Sequence, residues 1–348
     1  MDNPISTVAN RGMLSVMACD SGRPFAERIV QELNNIAREE QLDPNHRLKY
    51  TTEVHFPNGE IKVVIEENIR GDDVYIVQAI DDPLSPHSVN DNLMALLTAV
   101  HAAYQSDADH ITAVLPQFPY SRQERRKTRE AITAKLVAGM LELAGAQRVI
   151  TLDIHSEAIQ GFFNQAKLED LHASRVFIDY LHNIYRIDPT KVVVTSPDMG
   201  SAERARWYSK NLGTDLAIVD KARDYSRVST VESMRLVGDV KGKEVLLVDD
   251  MIATGGTLIN ALRLLKEKGA SKILVMVSLA FFSANAVEKL DRAYQEGLFD
   301  LVLGTDAVFH GKKFVDSTPW YKEISVAPLF ARVIYNINQK RSVSELMK

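Results

Sequence analysis

The sequence predicts an α/β protein of two domains, each built on a mainly parallel sheet flanked by helices. Short apolar runs of strand length alternate with apolar patterns of helical period along the whole chain. The alternation begins afresh near residue 173, so the expected domains are 1–173 and 174–348. At 348 residues each half can bury a full core. Several of the runs end in polar residues that can carry chemistry, namely Asp153 with His155, Asp198, and Asp249 with Asp250. Open parallel sheets bind ligands beyond the carboxyl ends of their strands, so one site could collect all of these.

Composition narrows the function classes. Apolar residues make up 45% and charged residues 25%, which is ordinary globular composition. A formal net charge of −5 argues against a nucleic-acid or membrane-surface protein, so any polyphosphate site must be a local concentration of cations. Cys19 is the single cysteine, which rules out an intrachain disulfide or a cysteine-based zinc site and fits a reducing cytosol. No apolar run approaches the ~18 residues of a membrane span, and residues 1–11 lack a basic-then-apolar signal pattern. A cytoplasmic location is the expectation.

In the first half, residues 14–19 read as a strand and 24–40 as a helix with Phe25, Ile29, Leu33 and Ile36 on one face. A turn over 56–60 precedes a strand over 61–65, and 73–80 is the next strand. An amphipathic helix over 90–104 carries Leu93, Leu96, Leu97 and Val100. The strand 111–115 leads into the densest cation cluster of the chain: Arg122, Arg125, Arg126, Lys127 and Arg129. This cluster reads as a solvated basic loop, a nucleic-acid patch or a clamp on a triphosphate. A nucleic-acid patch would prefer aromatic neighbours, and only Tyr120 adjoins it. Arginine forks match phosphate oxygens bidentately and neutralise charge that develops in phosphoryl transfer. A helix over 135–143 ends at Gly145, and a strand over 148–154 follows. Asp153 and His155, two apart, would face one side of an extended segment, a geometry suited to a metal ligand with a carboxylate beside it.

In the second half a helix over 176–185 leads to a strand over 191–195, and Asp198 stands just past it before another helix. The strand 215–220 runs directly into Lys221 and Arg223. The most informative stretch is 244–257. Residues 245–248 form a continuous apolar run, as in a buried parallel strand, and Asp249 and Asp250 stand at its end. The small-residue loop Ala253, Thr254, Gly255, Gly256, Thr257 then opens a helix with Leu258, Leu262 and Leu265 on one face. Glycines let the backbone approach a ligand closely, and the free N–H groups and positive dipole at a helix start suit phosphate. Ionised carboxylates only accept hydrogen bonds, so Asp249 and Asp250 suit sugar hydroxyls or a metal. A sugar phosphate satisfies both halves of the site. Strands over 272–279 and 298–303 flank a helix over 284–294. The nearest approach to a P-loop, Gly238 to Lys243, has the wrong spacing and no following Ser or Thr, which argues against a P-loop kinase or GTPase.

Five segments in order resemble the ribose-phosphate diphosphokinase (phosphoribosyl pyrophosphate synthetase) family, and the resemblance runs from about residue 12 onward. They are Phe56-Pro-Asn58-Gly-Glu60, Tyr120-Ser-Arg-Gln-Glu-Arg-Arg-Lys127 with Arg129-Glu-Ala-Ile-Thr-Ala-Lys135, Asp153-Ile-His155 with the Gln160-Gly-Phe-Phe run, Ser196-Pro-Asp198, and the 249–257 loop. The resemblance implies two phosphoribosyltransferase-like domains. The first would carry the ATP-binding loop, with a segment of about 324–335 returning to it, and the second the ribose 5-phosphate loop. It implies transfer of the diphosphoryl group of ATP to the 1-hydroxyl of ribose 5-phosphate, giving 5-phosphoribosyl 1-pyrophosphate and AMP for nucleotide biosynthesis. ATP would be held by Arg122 and Gln123, with Phe56, Asn58 and Glu60 of a neighbouring subunit. Ribose 5-phosphate would lie on Asp249, Asp250, Ala253, Thr254, Gly255, Gly256 and Thr257. Mg2+ would sit between His155, Asp198 and the phosphates, and Lys221 and Arg223, with His155, would serve catalysis. A homo-oligomer follows from the same resemblance, a hexamer built from dimers. The sequence departs from the family pattern at Asn58, at Asn164 and at Ala253, where the family has acids. A phosphoribosyltransferase would share the loop without an ATP-binding domain. A non-catalytic regulatory homologue would share the fold without the site residues.

Overall fold

The computed structural model describes residues 11–222 and 233–346. They form two compact units, Met1–His172 together with Ala327–Lys348, and Ala173–Val326. The cut in the sequence reading gave everything past residue 173 to the second domain apart from a returning segment; in the structure the whole of 327–348 belongs to the first unit.

The first unit opens with β1 (Leu14–Ala18) and α1 (Arg23–Glu39). Gly22 sits at the turn between them, where an added Cβ would lie 2.1 Å from the carbonyl oxygen of Val77. Only glycine lets the chain pass that close. A two-stranded antiparallel hairpin follows, β2 (Thr51–His55) and β3 (Ile61–Ile65). Then come β4 (Asp73–Val77), α2 (Val89–Gln105), β5 (His110–Leu115), α3 (Thr133–Ala144), β6 (Arg148–Leu152) and β7 (Lys167–Leu171). The sheet order is β1-β4-β5-β6-β7, with every pair parallel. Helices cover both faces of such a sheet, which is why β4 is buried at every position. Helix α2 begins in a capping box: the Ser88 hydroxyl accepts the N–H of Asp91, and the Asp91 carboxylate accepts the N–H of Ser88. Helix α3 stops at Gly145, whose φ of +116° ends it in the left-handed region.

The second unit starts with α4 (Ser174–Tyr180), prolonged by one π-helical turn, Leu181–Tyr185. It continues through β8 (Val192–Ser196), α5 (Ala202–Leu212), β9 (Asp215–Ala222), β10 (Ser233–Val237), β11 (Glu244–Ile252), α6 (Gly256–Glu267), β12 (Lys272–Ala280), α7 (Ala286–Gln295), β13 (Leu301–Thr305), α8 (Lys312–Ser317) and β14 (Tyr321–Ile324). The seven strands lie in the order β10-β9-β8-β11-β12-β13-β14, and only β10 is antiparallel. The chain leaves β8 through α5 toward β9 on one side and leaves β11 through α6 toward β12 on the other. The two crossovers diverge, so the carboxyl ends of β8 and β11 flank a crevice, the switch point where open parallel sheets bind ligands.

The last helix, α9 (Ala327–Asn338), belongs to the first unit. Phe330 meets Phe25 edge to face at 5.2 Å, and Tyr335 donates its hydroxyl to Glu40 at 2.7 Å. Asn338 Nδ2 donates to the buried carboxylate of Asp73 at 3.1 Å. That carboxylate also accepts from Arg11 and from Tyr75, so the burial of its charge is offset by an ion pair and two hydrogen bonds.

Candidate functional site

The switch point of the second unit holds the acids. Strand β11 runs further than the apolar run at 245–248 suggests and carries Asp249 and Asp250 within it. Its pairing with β8 ends at Leu247 opposite Thr195, whereas its pairing with β12 continues to Ile252 opposite Ala280. Asp249 is therefore bounded by a strand on one side and by the opening crevice on the other. Asp250 is buried. Among the described residues two donors reach Asp249, and both go to Oδ1: the hydroxyl of Ser201 at 2.7 Å and the N–H of Asp250 at 2.9 Å. Burial, then the neighbouring carboxylate of Asp250 and that of Asp198, push the Asp249 carboxyl up to about 7.

Asp198 follows the end of β8 and is half-buried. Its Oδ1 accepts the N–H of Ser201 at 3.0 Å, and its carbonyl accepts the hydroxyl of Ser196 at 2.6 Å. Gly200 is tight against it: an added Cβ would sit 3.2 Å from Asp198 Oδ1.

Beyond β11, the carbonyls of Ile252 and Ala253 accept the N–H groups of Phe282 and Ser283, at 3.1 and 2.9 Å. These bonds tie the loop to the segment after β12. Gly255 then takes φ +73°, a left-handed conformation that a side chain adopts only under strain, and α6 starts at Gly256. The first-turn N–H groups of a helix have no carbonyl within it to bond. Thr254, Gly256 and Thr257 are exposed, so that turn faces solvent. The stretch combines carboxylate acceptors, Asp250 buried and Asp249 partly so, with donors four to eight residues later, the requirement of a ligand with hydroxyls at one end and an anion at the other.

Lys221 lies in β9 itself, opposite Met234 of β10, because the antiparallel pairing carries the strand on to Ala222. The strand expected from the sequence ends at Asp220. Arg223 lies outside the described residues.

In the first unit, Phe56, Asn58 and Glu60 form the tip of the hairpin between β2 and β3, and all three are exposed. The tip is self-contained: Phe56 N–H donates to the Glu60 carbonyl at 2.8 Å and Glu60 N–H to Asn58 Oδ1 at 3.2 Å. Arg122 and Gln123 lie on the loop from β5 to α3, and both are exposed. Gln123 is anchored from both sides, its N–H donating to the Tyr120 carbonyl at 2.8 Å and its Oε1 accepting the Thr133 hydroxyl at 2.6 Å. Glu130 accepts the N–H groups of Lys127 and Thr128, which folds the cationic stretch back on itself.

One expected geometry fails. Strand β6 ends at Leu152, and Asp153 takes φ +42°, so the segment to His155 is not extended and the two side chains do not share a face. Asp153 is buried and receives His172 Nδ1 at 3.1 Å, while His155 is exposed. Asp170 holds the turn by accepting the N–H of Ile154 at 3.1 Å. Among the described residues no group of three or more His, Cys, Asp or Glu is placed to hold a metal ion.

The comparisons with known proteins bear on both units. Residues 14–145 match the N-terminal domain of ribose phosphate pyrophosphokinase, and residues 165–315 match the phosphoribosyl transferase domain. The ribose-phosphate pyrophosphokinase of Wolinella succinogenes is 42% identical over 300 residues, 86% of this chain and 91% of that protein. The chain belongs to the ribose-phosphate pyrophosphokinase family. The Campylobacter jejuni member is 41% identical over 292 residues, 84% of this chain and 88% of its own. The crystal structure of phosphoribosylpyrophosphate synthetase from Mycobacterium smegmatis superposes with a TM-score of 0.80 at 32% identity, covering 94% of this chain and 99% of that one. Membership accounts for the two phosphoribosyltransferase-like units of the α/β fold.

Three residues at these sites were not singled out from the sequence: Ser201, His172 and Glu142. Ser201 had a visible signal, a serine immediately before a helix. His172 and Glu142 had none, because their partners Asp153 and Asn164–Ala166 lie 19 and 22–24 residues away.

Proposed function

We propose that this chain transfers the β,γ-diphosphoryl group of ATP to the 1-hydroxyl of ribose 5-phosphate, forming 5-phosphoribosyl 1-pyrophosphate and AMP. The sugar oxygen forms a bond to the β-phosphorus and gives up its proton to solvent, the bond from that phosphorus to the α,β-bridging oxygen breaks, and AMP leaves with that oxygen. The observation that carries this reading is the pairing, in one chain, of an acid-and-glycine loop at a switch point with the N-terminal domain of this family. A phosphoribosyltransferase has use for the loop alone.

On this reading the first turn of α6, with Thr254, Gly255, Gly256 and Thr257, holds the 5-phosphate, and the backbone at Ala253 completes the loop. Asp249 and Asp250 accept the ribose hydroxyls. ATP is held by Arg122 and Gln123, and by the hairpin tip Phe56, Asn58 and Glu60 of a neighbouring subunit in a homo-oligomer, a hexamer built from dimers. Exposure of that tip on its hairpin suits contact with a second chain. Lys221 and Arg223 neutralise charge developing on the transferred group, and His155 is the third residue proposed to serve catalysis. Positioning and electrostatics account for most of the acceleration in such a transfer.

The acids also fit Mg2+, for which Asp198 and His155 are the proposed ligands. Magnesium takes one or two carboxylates and fills its remaining positions with water and substrate phosphates, so it needs no three-residue protein cage. The carboxylates of Asp250 and Asp198 raise the proton affinity of Asp249, and a divalent cation relieves that repulsion. When bound it would screen the phosphate charges. A cytoplasmic location, where ATP and the sugar phosphate are available, completes the proposal.

The test is AMP release by the purified chain with ATP, ribose 5-phosphate and magnesium. AMP is expected only when both substrates are present, and Lys221→Ala is expected to abolish it. A folded, oligomeric preparation without sugar-dependent AMP would refute the proposal and leave a non-catalytic homologue.

A further inference from the structure

Ser201 stands at the N-cap of α5, the position where a serine hydroxyl ordinarily accepts an N–H of its own helix and contributes about 1 kcal/mol. Here it makes no such cap. The hydroxyl donates instead to Asp249 Oδ1, 48 residues away in sequence, at 2.7 Å. The backbone N–H of the same residue donates to Asp198 Oδ1 at 3.0 Å. One residue thus ties together the acids at the ends of β8 and β11, beyond the point where backbone pairing between those strands stops.

The arrangement is one-sided. Both protein donors to Asp249 converge on Oδ1, and among the described residues no donor reaches Oδ2. An oxygen with two donors is held in place, and its partner on the same carboxylate is left to accept from a ligand.

Resting on the proposed role of this crevice in binding ribose 5-phosphate, we infer that Ser201 is a positioning residue: it locks Oδ1 of Asp249 and presents Oδ2 to a ribose hydroxyl. It does not touch the sugar, and its effect reaches the acceptor substrate through Asp249. A small hydroxyl meets the requirement, since an alanine would leave Oδ1 held by the N–H of Asp250 alone.

The experiment compares the full chain with Ser201→Ala and Ser201→Thr by steady-state kinetics and by calorimetric titration of ribose 5-phosphate in the absence of ATP. Loss of one hydrogen bond to a charged group is expected to raise KM and Kd for the sugar phosphate about tenfold in Ser201→Ala. KM for ATP is expected to stay within about twofold, since the change is confined to acceptor binding. Ser201→Thr, which keeps the hydroxyl, is expected to return the sugar-phosphate constants to near the parent values. Unchanged sugar-phosphate binding in Ser201→Ala, an equal rise in both KM values, or failure of Ser201→Thr to restore binding each overturns the assignment. Should the parent bind the sugar phosphate but form no AMP, the proposed reaction fails while the calorimetric comparison still decides Ser201. A parent that binds no sugar phosphate overturns both.

Discussion

Asp249→Asn is expected to make the folded chain more stable above neutral pH while weakening its hold on the sugar phosphate. The substitution keeps the shape of the side chain and an oxygen that can accept from Ser201 and from the N–H of Asp250. The charge is lost, and Oδ2, the acceptor offered to the ribose, becomes an NH2 donor. Burial first, then Asp250, drives the carboxyl from its ordinary value of 3.8 to about 7, so ionising it in the folded chain is unfavourable. Because the folded value lies above the unfolded one, Asp249 contributes its full stability below about pH 4 and loses it as pH rises to about 7. A difference of about 3 pH units corresponds to about 4 kcal/mol as a ceiling. Asp250 bears part of the repulsion, so the gain on removing the charge is about 1–3 kcal/mol at pH 8. Urea unfolding of parent and variant in EDTA, from pH 4 to 8, measures it. The two curves are expected to meet near pH 4 and to separate progressively up to pH 7, with a rise in Tm of about 2–4 °C for each kcal/mol. A variant no more stable than the parent at pH 8 refutes the argument that this carboxylate is held ionised against its surroundings.

Two further predictions concern backbone positions. Gly255→Ala meets open space, with Leu290 Cγ 3.9 Å from the new Cβ, but forces a side chain to φ +73°. The expected cost is about 1–2 kcal/mol in thermal unfolding, with loss of sugar-phosphate affinity as the loop relaxes. Glu142→Ala removes the carboxylate oxygen that accepts the N–H groups of Asn164, Gln165 and Ala166, at 2.7, 2.6 and 2.8 Å. Hydrogen exchange at those three amides is expected to quicken, by roughly 1–3 kcal/mol of local opening, with little change elsewhere. Unaltered protection at all three would show that the loop is held by other means.

Much of the architecture is written in local sequence because its causes are local. The strands of a parallel sheet covered on both faces read as apolar runs, as in 245–248 of β11 and 273–277 of β12, and amphipathic helices such as α2 and α3 carry their own caps. The acids and glycines of 249–257 were visible for the same reason: strand end, left-handed glycine and helix start are neighbours along the chain. Polar edge segments were not visible. Lys167–Leu171 shows no apolar run yet forms β7, because β6 offers it a ladder of N–H and carbonyl groups. Ser233–Val237 becomes β10 and carries Lys221 into a strand in the same way.

Tertiary structure alone decided which strand ends meet. Val192–Ser196 and Glu244–Ile252 are distant in sequence and adjacent in the sheet, and nothing local to either encodes that order. Their adjacency makes the crevice, concentrates the carboxylates of Asp198, Asp249 and Asp250, and brings Ser201 onto Asp249. The left-handed turn at Asp153, whose buried carboxylate meets His172, likewise overrode the simple alternation that would have aligned it with His155. The sequence by itself determined the elements and the residue types of the site. Long-range packing determined their company, because proton affinity and hydrogen-bond partnership depend on neighbours in space rather than along the chain.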